Sequence, residues 1–492
     1  MAQGLLHTDE SVAQRVAVNM REFADNKALH IGNRYYTYRE LHEITRAVYA
    51  QIPAGKCYDR IGIYCSNDVY TYASILAAGL YGAAYVPLNR NFPVLRNKRI
   101  VADCSLELVL GSIENEDVKE ISDGVEYVPT GSALQPANSE AAGKTEQKTC
   151  YILFTSGSTG DAKGVPVSNE NVRSFFNYFL RNYDFNEQDR FLQTYELTFD
   201  VSVFSFFMPL LVGACCYVLP EEGIKPLKIA EYLLKHDITV VSMVPGVLSY
   251  LDNYFNEISL PHLRYSFFSG DALYHDLAVK WSASVPHAAI HNFYGPTETT
   301  IVCTRYIFDP ERSAAERMNG IVPLGKAFEG MEFMIVNEDL AETGKGELCF
   351  FGTQVIGAYL NDANEDKFFV KKQKRYYKTG DIASVNEQGN LIFHGRTDSQ
   401  VKINGYRVEL AEVEHAVQQA SGQRCVVMCV KTGNLNRLIA FFEATINEAA
   451  LREKLSELIP GYMIPQEFIS VTEFPLNANG KTDRKALINA YI

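Results

Sequence analysis

The chain has 492 residues, is 47% hydrophobic and carries a formal net charge of −13. That length suggests about three structural units, the apolar content excludes a largely disordered chain, and the acidic balance excludes a broadly basic nucleic-acid binder. Met1-Ala2-Gln3-Gly4 lacks the charged-then-apolar order of a secretory leader, and ten cysteines are scattered with no C-x-x-C spacing, so buried free thiols in a reducing cytoplasm are expected.

Thr37, with Glu40 three residues on, forms a capping box that opens a helix. Residues 61–65 are expected as a strand, 70–81 as an apolar helix, 82–88 as a second strand ending at Pro87, and 106–110 as another. Strands alternating with helices predict a parallel, helix-covered sheet. Residues 131–148 are polar, small and Pro/Gly-bearing, which marks a surface linker. Residues 151–154 form a buried strand that runs into Thr155-Ser156-Gly157-Ser158-Thr159-Gly160-Asp161-Ala162-Lys163-Gly164. Glycines let backbone N–H groups turn inward and hydroxyls add donors, so this loop can wrap a polyphosphate, with Lys163 supplying positive charge. It is not a P-loop, because Gly164 follows Lys163.

Residues 201–220 carry no charge and imitate a membrane span, but Pro209 and Gly213 divide them into a buried helix, 203–211, and a buried strand, 214–219. Asp200 stands just before that helix. It is either the helix N-cap or a carboxylate kept for a cation, since burying it uncompensated costs several kcal/mol. Strands are expected at 238–244, 263–268 and 289–293. The second leads into Ser269-Gly270-Asp271 and the third into Asn292-Phe293-Tyr294-Gly295-Pro296-Thr297-Glu298, the kind of strand-to-turn junction where open α/β sheets bind ligands. Gly295-Pro296 forces a tight turn, Thr297 can donate to a phosphate oxygen, and Glu298 can hold Mg2+; the alternative is a plain helix cap. Asp381, after Gly380, is suited to ribose hydroxyls or is a solvated turn residue. Beyond Gly395-Arg396-Thr397-Asp398, Val401-Lys402-Ile403 and the Asn404-Gly405 turn predict a hairpin. A helix with Leu410, Val413, Val417 and Ala420 on one face, strands at 425–430 and 438–442, and a helix through Leu451, Leu455 and Leu458 then make a small α/β unit. Asn479-Gly480-Lys481 lies near the end.

In order and spacing these motifs, with Gly82-Ala83-Ala84-Tyr85-Val86-Pro87-Leu88, Gly346-Glu347-Leu348 and Pro460-Gly461-Tyr462, resemble those of the adenylate-forming (ANL) superfamily. That group includes acyl-CoA synthetases, luciferases and amino-acid-activating adenylation domains. The resemblance spans about residues 30 to 485. Asn89 departs from it, standing where the family more often has Asp. Stand-alone length and wording such as Lys225-Pro226-Leu227 resemble the nonribosomal peptide synthetase adenylation domains and D-alanine–carrier-protein ligases.

The resemblance implies an α/β fold with a large N-terminal multi-sheet domain, 1–397, and a small mobile C-terminal domain, 398–492, hinged at Asp398, of the acetyl-CoA synthetase/luciferase-like type. It implies ATP and Mg2+. Lys163, Thr297, Glu298 and Lys481 take catalytic roles, with the metal at Glu298. Thr155, Ser156, Gly157, Ser158, Thr159, Gly160, Ser269, Gly270, Asp271, Asn292, Phe293, Tyr294, Gly295, Thr297, Asp381, Arg396 and Lys481 contact the nucleotide. Asp200 binds the substrate ammonium, and Val201, Phe204, Ser242, Phe267, Ser269, Phe293, Ile301 and Val302 line the side-chain pocket. None of those pocket-wall residues is charged, and three phenylalanines shrink the cavity, so a small neutral amino acid, alanine-like and with D-alanine among the candidates, is the expected substrate. Ser269 stands where D-alanine ligases typically have Cys, and Phe293 replaces a smaller residue. The product would pass to the phosphopantetheine thiol of a separate carrier protein, with Lys402 presented by rotation about Asp398. The competing readings are an acyl-CoA synthetase for a non-amino acid, which Asp200 disfavours, and a catalytically silent carrier-binding subunit. No nucleic acid, no membrane span and a cytoplasmic location are expected.

Overall fold

A computed structural model describes residues 5–131, 148–157, 162–362, 365–433, 435–475 and 482–491. Most of the expected 131–148 linker, the loop residues Ser158, Thr159, Gly160 and Asp161, and the segment from Asn477 through Lys481 lie outside the described residues.

The described residues build a large N-terminal domain of three sheets and a small C-terminal domain. The largest sheet has nine strands, in the order Lys326–Ala327, Thr304–Ile307, Ala289–Tyr294, Tyr265–Phe268, Val240–Met243, Arg190–Gln193, Cys215–Val218, Lys27–Ile31 and Arg34–Thr37. The six strands from Ala289–Tyr294 to Lys27–Ile31 are mutually parallel. Their carboxyl ends therefore share one edge, which is where ligands collect in such sheets. A six-stranded sheet contributes Ala84–Asn89 and Thr149–Thr155. A five-stranded antiparallel sheet contains Lys374–Val385 and Leu391–Arg396.

Local signals account for much of this. Thr37 accepts from the Glu40 N–H while Glu40 reaches back to the Thr37 N–H, completing the capping box of the helix Tyr38–Gln51. The helix Val69–Tyr81 is capped by Asp68 and stopped by Gly82 at φ +87°, a left-handed position that glycine adopts without strain. One boundary differs from expectation. The strand Ala84–Asn89 runs through Pro87 rather than ending there. Its pairing toward Thr149–Thr155 is confined to Tyr85, so the missing proline donor falls beyond the paired residue on that side.

Every residue of the helix Val201–Leu211 is buried, and the strand Cys215–Val218 follows in the middle of the nine-stranded sheet. The uncharged run is thus core, and among the described residues no helix is long and apolar enough to cross a membrane. Seven cysteines are buried, while Cys57 is exposed and Cys65 and Cys429 are partly so. The small domain consists of the hairpin Gln400–Ile403/Tyr406–Glu409, the helix Leu410–Ser421, the strands Cys425–Thr432, Leu435–Phe442 and Glu467–Ser470, and flanking helices around their own apolar core.

Candidate active site

The parallel strands stop at one cleft of about 220 Å3. Thr155 and Ser156 enter it from the six-stranded sheet. Asp200, Val201, Ser269, Gly270, Asp271, Asn292, Phe293, Tyr294, Gly295, Thr297 and Ile301 enter from loops and ends of the nine-stranded sheet, Asp381 and Arg396 from the antiparallel sheet, and Lys402 from the small domain. Residues from four separate sheets therefore meet at one place.

Asp200 does not cap its helix. It already has helical angles, φ −62° and ψ −34°, and makes no capping hydrogen bond. Burial pushes its carboxyl above the ordinary range, while Thr297, as a hydrogen-bond partner, and Lys402 oppose the shift. The Lys402 ammonium is held below its ordinary value by burial and by Arg407, against Asp200 and Asp271. Burial also lowers Lys163, with Lys367 adding to it. Lys163 begins the strand Lys163–Ser168, behind the cleft wall.

Asp381 accepts from the Tyr294 hydroxyl at 2.5 Å and from Arg396 Nη1 at 2.5 Å. Arg396 in turn grips Asp398 at 2.7 and 2.8 Å, so Tyr294, Asp381, Arg396 and Asp398 form one chain of charge-assisted bonds. Asn292 donates to the Pro323 carbonyl at 2.9 Å, which fixes the end of its strand.

Glu298 is 1% exposed and does not face the cleft directly. Its carboxylate accepts from Arg407 Nη1 at 2.9 and 3.0 Å and from the Tyr359 hydroxyl at 2.7 Å. Burial raises this carboxyl, but Arg407 and Tyr359 outweigh it and hold it below the ordinary value. Among the described residues no three metal-capable side chains cluster. Glu298 fits Mg2+ only as one protein ligand among phosphate oxygens and waters, the usual arrangement for that ion, and only with Arg407 withdrawn.

The three phenylalanines expected on the side-chain pocket wall do not stand alike. Only Phe293 of the three phenylalanines reaches the cleft. Phe204 and Phe267 pack behind it in an aromatic cluster with Phe179 and Tyr183, at ring separations of 4.8 to 6.3 Å. Ser242 and Val302 are likewise set back from the cleft surface. Tyr195, which carries no motif and escaped the sequence reading, lines the cleft.

Sequence reasoning also missed Arg407, Tyr406 and Glu196. Tyr406 donates to Glu196 at 2.9 Å, and Glu196 also accepts from Asn89 at 2.7 Å. The Asn89 departure is thereby explained: an Asp here would set two carboxylates against each other. Ser156 donates to the Arg407 carbonyl at 2.9 Å. The signal available was the Asn404-Gly405 turn itself, which puts Tyr406 and Arg407 at the head of the second hairpin strand.

Such a cleft, lined by acidic, basic and hydroxyl side chains and with a second domain reaching into it, is suited to activating a carboxylate with a nucleotide, the work of AMP-forming ligases. A family model described as "AMP-binding enzyme" matches residues 16–360. Zwittermicin A synthase ZmaJ of Bacillus cereus is 31% identical over 92% of this chain and 89% of its own length. A linear gramicidin synthase of Brevibacillus parabrevis is 32% identical over 98% of this chain, which spans only 10% of that much longer protein. The crystal structure of the Vibrio cholerae adenylation domain AlmE, in complex with glycyl-adenosine-5′-phosphate, superposes with a TM-score of 0.83 at 26% identity, covering 99% of both chains. The chain belongs to the AMP-binding enzyme family, and its fold is that of an adenylation domain.

Proposed function

We propose that this chain joins a small neutral amino acid, alanine-sized and of D or L configuration, to ATP, giving aminoacyl-AMP and pyrophosphate, and then passes the acyl group to the phosphopantetheine thiol of a separate carrier protein. The observation that carries the reading is Asp200, a partly buried carboxylate on the cleft wall that takes no capping role. With Lys402 withdrawn, a substrate ammonium would supply its counter-charge. The glycyl adenylate held by AlmE supports a small substrate.

The attacking carboxylate is already ionised, so no general base is needed. Catalysis consists of placement and of cancelling charge on the triphosphate. Asp200 and the pocket place the amino acid, and Asp381 with Arg396 orients the ribose end. Loop donors from Thr155 onward, Lys163 and Lys481 are assigned the phosphates and the substrate carboxylate. Mg2+ at Glu298, when bound, would neutralise phosphate charge.

Residues 1–397 and 398–492 are assigned to the two domains, with Asp398 as the hinge. The described arrangement has Lys402 in the cleft and Arg407 on Glu298, which supports its assignment to the thiol-transfer stage. Adenylation would then require the hairpin to withdraw and the small domain to bring Lys481 inward.

The test is amino-acid-dependent ATP–pyrophosphate exchange over D- and L-amino acids, with Asp200→Ala and Lys481→Ala as controls. Exchange with small neutral amino acids, reduced at least 100-fold in both variants, is expected. Exchange supported by fatty or aryl acids and unaffected by Asp200→Ala would overturn the reading in favour of an acyl-CoA synthetase.

A further inference from the structure

Among the described residues, three hydroxyls on the wall of the cleft, those of Tyr195, Thr198 and Ser269, have no hydrogen-bond partner, and two of them, Tyr195 and Ser269, lie side by side. Ser269 is 2% exposed, and its Oγ is unsatisfied. The Tyr195 Oη is equally cut off from solvent and unsatisfied. Both residues line the cleft together with Asp200. The Tyr195 phenol lies beside the Ser242 and Ser269 hydroxyls without completing a well-formed hydrogen bond to either, and within electrostatic reach of Asp200, so all four groups belong to one small region. Asp381, by contrast, is engaged by Tyr294 and Arg396, and Asn292 by backbone carbonyls.

Burying a hydroxyl without a partner destabilises a protein. Tyr195 could be phenylalanine and Ser269 alanine with no loss of packing, so an apolar substrate such as alanine would leave both costs uncompensated. A substrate side chain carrying its own donor and acceptor would remove both. Two aromatic rings, Tyr195 and Phe293, share this wall with Asp200, which leaves room for a small side chain.

We propose that the substrate is a small neutral amino acid bearing a side-chain hydroxyl, serine in size, and that Tyr195 and Ser269 select it by hydrogen-bonding that hydroxyl. Asp200 holds the ammonium, and the two wall hydroxyls read the side chain. This inference rests on the amino-acid adenylation reading and narrows its substrate class.

The experiment compares serine, alanine and glycine, each D or L where chiral, as substrates for pyrophosphate exchange by the full chain, by Tyr195→Phe and by Ser269→Ala. A site built to bond a hydroxyl strongly rejects the analogue that lacks it, so kcat/KM for serine should exceed that for alanine by on the order of 100-fold or more. Each variant should lower that ratio by about 10-fold or more. A circular dichroism spectrum and melting transition matching those of the parent show that the variants are folded. Alanine or glycine preferred over serine, or a ratio unmoved in both variants, overturns the hydroxyl assignment and leaves the adenylation reading intact. Exchange with no amino acid at all overturns both.

Discussion

At Asp200 a single carboxyl is held neutral more readily than usual because burial strips water from it, and that has a kinetic consequence. Its proton returns at a higher pH than for an ordinary Asp, so the proposed ammonium site is lost early as pH falls. The KM for the amino acid should begin to climb at a higher pH than titration of an ordinary aspartate would cause, while the KM for ATP changes little. Asp200→Asn should show a high KM with no such rise. His291 makes a separate prediction about stability. It is 3% exposed, its Nδ1 is 3.2 Å from the Tyr183 hydroxyl, and burial, aided by Arg305, drives its pKa down to about 3. Below pH 6.5 the unfolded chain takes up a proton here that the folded chain refuses, so stability is lost as pH falls from 6.5 toward 3. Between pH 6.5 and 4.5 the loss is roughly 2–3 kcal/mol at about 1.4 kcal/mol per pH unit. Denaturant titrations at both pH values should find that loss in the parent and most of it absent in His291→Phe.

The hairpin Gln400–Ile403/Tyr406–Glu409 is the element on which the described arrangement turns. Asn404 and Gly405 have φ of +52° and +85°, the two left-handed positions of a two-residue turn that matches strand twist. The tip is also tightly seated: a Cβ on Gly405 would lie 2.4 Å from Val244 Cγ1. Tyr406 packs edge-on against Phe199 at 4.6 Å, and Arg407 pairs with Glu298. Gly405→Ala should therefore keep the hairpin from the cleft. Carrier loading should fall by on the order of 100-fold or more while pyrophosphate exchange falls less than about 3-fold, since a short misplacement of reacting groups is enough to cost that much. Equal loss in the two assays would remove the hairpin from the transfer step.

At the scale of the whole molecule, a second buried ion pair joins the two domains alongside Arg407 and Glu298. Arg96 of the large domain and Glu412 of the small domain approach to 2.9 Å at 9% and 4% exposure. Removing one partner of such a pair strands the other charge and costs about 3–5 kcal/mol. Glu412→Ala should shift the small domain away from the described arrangement, slowing thioester formation with little effect on exchange. Replacing both residues with apolar ones of similar volume should restore much of it. Asp398→Pro should also impair thioester formation more than exchange, because a proline fixes the backbone at the proposed hinge. Both pairs of rates can be read in one preparation, with the radioactive exchange assay and with carrier loading followed by mass.

What the chain determines by itself is what depends on neighbours in sequence. The Thr37 capping box, the Gly82 stop, the 404–405 turn and the period-two and period-3.6 apolar runs are local, and the motif residues could be recognised from types and spacing alone. Assembly of the cleft was less legible. Tyr195 has no motif around it, and its place beside Ser242 and Ser269 arises from the parallel register that aligns the ends of three strands. Phe204 and Phe267 read as pocket wall but turned away, because their rings found better packing with Phe179 and Tyr183. The partners of Asn89 and Glu298 lie 107 and 109 residues away in sequence. Such contacts follow from how sheets stack and where a second domain comes to rest, and no local pattern encodes them.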